Sequence, residues 1–145
     1  MGTMTLPLFH LAIPVRDLTE ARSFYSGVLG ASEGRSDRQW VDFNFFGHQL
    51  VAHLDDSMDK HSTLLTTLVD GDLVPVPHFG LIVDQTGWDF ILKRISEKDW
   101  PLEIPPRLKF KGSPGEQWTM FLRDPSGNAI EFKYFGNGNQ VFAIK

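Results

Sequence analysis

His10, His78 and Glu131 are residue types that can bind one divalent cation together. Neutral imidazole nitrogen and carboxylate oxygen suit Fe(II), Mn(II), Zn(II), Ni(II) or Co(II), and a two-histidine, one-carboxylate set leaves coordination positions open for substrate or oxygen. A duplication in the sequence is what joins the three. His10 and His78 stand at the same point of two similar segments 68 residues apart, and Gly47 and Gly127, which mark the last strands of the two copies, are 80 apart. Glu131 falls on the closing strand of the second copy.

Strands and helices must position these groups. Residues 9–15 read as a strand, and Asp17 then caps a helix, with Glu20 three positions on; Leu18, Ala21, Tyr25, Val28 and Leu29 recur at helical spacing and Gly30 closes it. Strands follow at 31–36, 39–46 and 48–54, hinged at Gly47. In the second copy, residues 77–83 form a strand. Thr86 is read as the cap of a helix carrying Trp88, Ile91, Leu92 and Ile95, which ends before Pro101. A strand near 102–104 precedes a hairpin of 117–123 and 128–135 around Asp124-Pro125-Ser126-Gly127.

The expectation is an α+β fold of two βαβββ modules, at about 8–54 and 77–135, within a single domain spanning 1–145. A connector at 55–76, with a short helix over 62–69, joins them, and a tail occupies 136–145. Alternation gives the faces: Leu11, Ile13, Val15, Val41, Phe43 and Phe45 suit packing under helices. His10, Ala12, Asp42, Asn44, His78, Gly80, Ala129, Glu131 and Lys133 point the other way, so a curled mixed sheet would form a cup with a polar, titratable lining.

With 41% hydrophobic residues in a 145-residue chain, a sizeable core is available. A formal charge of −4, from 14 basic and 18 acidic residues without clusters, argues against nucleic acid and against a membrane surface. The chain has no cysteine, which excludes disulfides and thiolate ligands. No stretch approaches the roughly 20 apolar residues of a membrane span and residues 1–8 lack a targeting pattern, so a cytoplasmic protein is expected. Arg107, Lys109, Lys111, Arg123 and Lys133 offer positive charge to an anionic substrate, although the run 107–111 reads first as an edge strand protected by lysine. Trp40 and Trp118 are candidates for an aromatic pocket. The apolar ending Val141-Phe142-Ala143-Ile144 suits an added strand or a partner chain, hence a homodimer.

Phe9-His10-Leu11-Ala12-Ile13-Pro14-Val15-Arg16-Asp17-Leu18, then Phe24-Tyr25, Leu29-Gly30 and Asp124-Pro125-Ser126-Gly127-Asn128-Ala129-Ile130-Glu131-Phe132, resemble the vicinal oxygen chelate superfamily. That group holds glyoxalases, bleomycin-resistance proteins, fosfomycin-resistance enzymes and type I extradiol dioxygenases. The resemblance covers roughly residues 8–135 and implies a glyoxalase-like fold with His10, His78 and Glu131 as metal ligands. Glyoxalases take a fourth ligand from the position that the 80-residue offset assigns to Val51, which cannot ligate; Gln49 and His53 are the polar neighbours on that face.

A three-ligand set resembles the extradiol dioxygenases, which implies Fe(II), O₂ and a small catechol-like substrate. It places His48 where that family carries its catalytic histidine, with His53 as the other candidate, and puts Phe121 where the dioxygenases have a tyrosine. Asn44, Phe121, Trp118 and Arg123 are the expected substrate-pocket residues. The alternatives are a glyoxalase-like lyase or isomerase, a fosfomycin-resistance-like thiol transferase using Mn(II), and a metal-free binding protein of the bleomycin-resistance kind.

Overall fold

The computed structural model describes residues 6–58, 65–136 and 140–144. It divides into two compact units, residues 1–60 and 61–145. In the first, β1 (His10–Val15) leads into α1 (Leu18–Arg22), then β2 (Ser32–Ser36), β3 (Trp40–Phe45) and β4 (His48–Leu54), in the sheet order β1-β4-β3-β2. β1 lies parallel to β4 and the other neighbours are antiparallel.

Local chemistry explains these elements. The Asp17 carboxylate accepts the Glu20 N–H at 2.8 Å, which satisfies one of the orphan donors at a helix start. After Arg22 the helix widens into a π-helical turn, Ser23–Val28. Gly30, at φ 82°, takes the left-handed conformation that lets the Ala31 N–H reach back to the Tyr25 carbonyl at 2.8 Å. Tyr25, Phe24, Phe43 and Leu50 are almost wholly buried between this helix and the sheet. Tyr25 meets Phe24 edge-on at 4.8 Å and Phe43 tilted at 5.3 Å.

The second unit repeats the topology. β7 (Phe79–Val83), α2 (Gln85–Glu97), β8 (Ile104–Lys109), β9 (Gln117–Arg123) and β10 (Ala129–Tyr134) give the sheet order β7-β10-β9-β8, with β7 parallel to β10. Two mixed four-stranded sheets with few helices make this the expected α+β fold. Trp88, Ile91 and Ile95 of α2 are buried with Ile130 and Phe132 of β10 in the core. Asp124 closes the β9–β10 turn by accepting from the Ser126 and Asn128 backbone N–H groups, both at 2.9 Å. Among the described residues no helix is long and apolar enough to cross a membrane.

Four expectations are corrected. Asp84, not Thr86, caps α2, its side chain accepting the Gly87 N–H at 2.8 Å; a carboxylate just before the first turn displaces the hydroxyl two residues later. The helix expected over 62–69 is a strand where described: β5 (Leu65–Val69) pairs antiparallel with β6 (Asp72–Val76), and 62–64 lie outside the described residues. Asp70 and Gly71, at φ 42° and 90°, form the two-residue hairpin turn that Asp-Gly favours. The strand near 102–104 instead runs from Ile104 to Lys109 through Pro105 and Pro106, tolerated because β8 is an edge strand with an irregular register there. In the tail, described residues 140–144 form no strand, and Phe142 and Ile144 are exposed.

Gly80 marks the closest approach of β7 to β10. A Cβ built on it would lie 1.5 Å from the Glu131 carbonyl oxygen, whereas one on Gly27 would meet nothing within 4 Å. Gly80→Ala is therefore expected to destabilise the chain by about 3 kcal/mol through overpacking. Gly27→Ala is expected to stabilise it by about 0.5 kcal/mol. Urea unfolding of both variants measures the contrast.

Candidate functional site

Strand alternation puts Ala129, Glu131 and Lys133 on one face of β10, and pairing sets Glu131 between Gly80 on β7 and Phe121 on β9. Glu131 is 8% exposed. His78 stands one residue before β7, with Nε2 3.3 Å from Glu131 Oε1. Its Nδ1 lies 2.6 Å from the Pro75 carbonyl oxygen. An acceptor there fixes the proton of the neutral imidazole on Nδ1 and aims Nε2 at the carboxylate. The His78 pKa is raised, chiefly by the hydrogen bond to Glu131 and also by the Pro75 carbonyl, against the lowering effect of burial. Phe121 packs edge-on against the imidazole at 5.1 Å, and Lys133 Nζ is 3.7 Å from Glu131 Oε1. These four residues border a cavity of about 120 Å³ that also reaches Lys109, Gln117 and Thr119.

The first unit has a cavity of its own, about 360 Å³, lined in part by His10, Asp42, Asn44, His48 and Gln49. β1 and β4 pair His10 with Gln49 and Ala12 with Val51. His10 Nδ1 donates to Gln49 Oε1 at 2.8 Å, which leaves Nε2 as the lone-pair nitrogen. His48 has the opposite arrangement: its Nδ1 accepts the Phe9 N–H at 3.0 Å, so in the neutral ring the proton sits on Nε2. Asn44 lines this cavity while its Oδ1 accepts the Gly47 N–H at 2.7 Å. His53, paired with Pro14 and Trp40, is exposed and does not line it. Within neither unit, among the described residues, do three His, Asp or Glu side chains gather into a metal cluster.

Several expected pocket residues serve elsewhere. Trp118 lies on the opposite face of β9 from Phe121, 42% exposed and away from the cavity, because residues three apart on a strand face opposite ways. Arg123 shares the face of Phe121, but its guanidinium is held by Glu103 at 2.8 Å and the Gly127 carbonyl at 3.1 Å. Lys109 is not an exposed edge lysine. It is 2% exposed and bonds Asp72, the Val69 carbonyl at 3.0 Å and the Asp70 carbonyl at 3.3 Å. With Arg107, also bound to Asp72, it fastens the β5–β6 hairpin to the edge of the second sheet. Gln117 and Thr119 went unnoticed in the sequence, although period 2 counted back from Phe121 reaches both.

The family profile of the Glyoxalase/Bleomycin resistance protein/Dioxygenase superfamily matches residues 8–132, and the chain belongs to that superfamily. A crystal structure of a glyoxalase/bleomycin resistance protein/dioxygenase from Alicyclobacillus acidocaldarius is 35% identical, with a TM-score of 0.79 over 94% of this chain and 96% of that one. The fosfomycin resistance protein FosX from Listeria monocytogenes superposes at a TM-score of 0.67 with 16% identity, covering 96% of this chain and all (100%) of that one. Another crystal structure of that FosX holds Mn(II) and sulfate. A glyoxalase/dioxygenase from Nostoc punctiforme gives a TM-score of 0.64 with 17% identity, over 94% and 99% of the two chains. No curated protein matches the sequence.

The Asp72–Lys109 pair is buried, with side chains 13% and 3% exposed. Asp72→Ala strands the ammonium and is expected to cost about 3 kcal/mol in urea unfolding. Asp72→Leu combined with Lys109→Met is expected to recover most of that loss, since an apolar pair needs no partner.

Proposed function

We propose that the chain is a metal-dependent enzyme of the vicinal oxygen chelate type. His10, His78 and Glu131 are its protein ligands, and it cleaves a small catechol-like substrate with O₂ in the extradiol manner. The observation that carries this reading is the anchoring of both histidines through Nδ1, by Gln49 and by the Pro75 carbonyl. In the neutral ring each thereby offers an unprotonated Nε2, the orientation that a hydrogen-bonded partner on the other ring nitrogen gives to metal-binding imidazoles; for His78 a metal would take the place of the proton that Nε2 shares with Glu131. The buried Glu131 carboxylate beside His78 supplies the anionic oxygen of the donor set. Val51, at the register position equivalent to Glu131, adds no donor and supports an open three-ligand set.

An Fe(II) ion held by that set would supply redox chemistry and open positions for two vicinal oxygens. The chain's own groups do the rest. His48 presents Nε2–H into the first-unit cavity and can give a proton or a hydrogen bond to the reacting substrate. Phe121 packs edge-on against His78 and steadies its ring. Lys133 offsets the charge of Glu131. Exposed Phe142 and Ile144 support a homodimeric assembly.

One observation favours a second reading. Phe121 has no hydroxyl with which to orient a catecholate, and its ring packs edge-on against His78. Metal-assisted addition or thiol transfer of the fosfomycin-resistance sort, using Mn(II), needs no such hydroxyl.

Anaerobic purification followed by elemental analysis and O₂ uptake on a catechol panel separates the readings. About one iron per chain is expected, with metal and O₂ uptake lost together in His78→Ala. In His48→Ala kcat is expected to fall on the order of 100-fold with metal content unchanged. Stoichiometric Mn(II) without oxygen consumption selects the second reading. No metal under any reconstitution overturns both.

A further inference from the structure

We infer that the cavity of the second unit receives a substrate arm ending in a hydrogen-bond donor, a hydroxyl or a primary amide, rather than an anionic group. Its place beside the reacting centre rests on the metal reading above; its chemistry rests on β9. Gln117, Thr119 and Phe121 share one face of that strand, so the cavity runs from the His78–Glu131 end for roughly 13 Å at about 3.3 Å per residue. Thr119 is 2% exposed and Gln117 7%. Among the described residues, Thr119 Oγ1 and Gln117 Oε1 have no hydrogen-bond partner. The amide orientation is fixed, because Gln117 Nε2 donates to the Gly115 carbonyl at 3.0 Å. Both side chains line one cavity, and two buried, unpaired oxygens beside it are costly to stability unless a ligand completes them.

The charges beside them do not suit an anion. An ammonium has three donors, and those of Lys109 are met by Asp72 and the Val69 and Asp70 carbonyls. Lys133 lies against Glu131. Gln117 Oε1 can only accept, so a carboxylate or phosphate would face it unpaired, whereas an O–H or N–H satisfies it and Thr119 can either give or take. Val69 and Val74 of the β5–β6 hairpin and Phe110 supply an apolar wall for a carbon stem. At about 120 Å³ the space takes a small arm, a little less than the roughly 150 Å³ that holds a benzene ring.

The test uses the full chain after chelator treatment, with benzyl alcohol and its isostere ethylbenzene as probes and backbone amide shifts as the readout. Benzyl alcohol is expected to bind about tenfold more tightly, the worth of one good hydrogen bond, and to shift the resonances of Gln117, Thr119 and Lys133. Thr119→Val is expected to abolish the preference while melting at the same or a higher temperature, and Thr119→Ser to retain it. A structural role alone would move the melting temperature and not the preference. Equal binding of the two probes overturns the subsite, as does binding of neither with ordered water on both oxygens in a high-resolution crystal structure. Because no metal is present in this titration, its failure rejects the subsite alone, while failure of metal loading rejects only the reading on which its placement rests.

Discussion

Parallel pairing of the first and last strands of each unit is the constraint from which the candidate site follows. Between β7 and β10 the backbones approach so closely at Gly80 and Glu131 that residue 80 has no room for a side chain. That contact fixes which residue of β10 stands beside the end of β7, and hence that a buried carboxylate meets the imidazole just before it. Had the register slipped by one, Ile130 or Phe132 would take that place and Glu131 would turn into the helix-covered core. The same pairing in the first unit sets His10 beside Gln49 and Ala12 beside Val51. One topology therefore yields an imidazole–carboxylate pair in the second unit and an imidazole–amide pair in the first.

Much of this was legible because hydrophobic alternation and turn chemistry act locally. The bounds of β4 and β9, the Asp17 cap and the Gly30 stop are fixed by nearest neighbours, and the equivalence of Glu131 with Val51 follows once two strands are recognised as copies. What escaped was decided otherwise. The Asp70-Gly71 turn is a local signal that prevails over helical spacing in the segment before it, and Asp84 outcompetes Thr86 for one cap. Pro105 and Pro106 argue against a strand unless that strand is known to be an edge, which is a property of the assembled sheet. The Asp72–Lys109 pair joins residues 37 apart in sequence, and nothing in either segment announces it.

That pair alters the electrostatics expected of the second unit. From sequence, Arg107 to Lys111 reads first as an edge strand protected by lysine and second, with Arg123, as a basic rim suited to an anion; Arg107 and Lys109 do lie on the edge strand β8. In the fold, Arg107 and Lys109 are spent on Asp72 and the hairpin carbonyls, and Arg123 on Glu103 and the β9–β10 turn. Formal positive charge is thus converted into scaffold. The hairpin held in this way contributes Val69 and Val74 to the cavity wall, so the segment between the repeats helps shape the second-unit cavity.

The two histidines of the repeat are held alike at Nδ1 but by partners of different kinds, and the difference has chemical consequences. A backbone carbonyl, as at His78, cannot rotate away, so the ring is fixed as firmly as the chain that carries it. A Gln49 amide can turn or exchange its hydrogen bonds, so His10 is held by a side chain with conformational freedom of its own. In the second unit Nε2 also faces a carboxylate, whose negative charge favours any cation arriving there. The more rigid and charged surroundings are therefore those of His78, and the more adaptable and neutral ones those of His10. On the proposed reading, the imidazole–carboxylate pair provides most of the attraction for the metal, and His10 is the ligand best able to adjust its position to the ion.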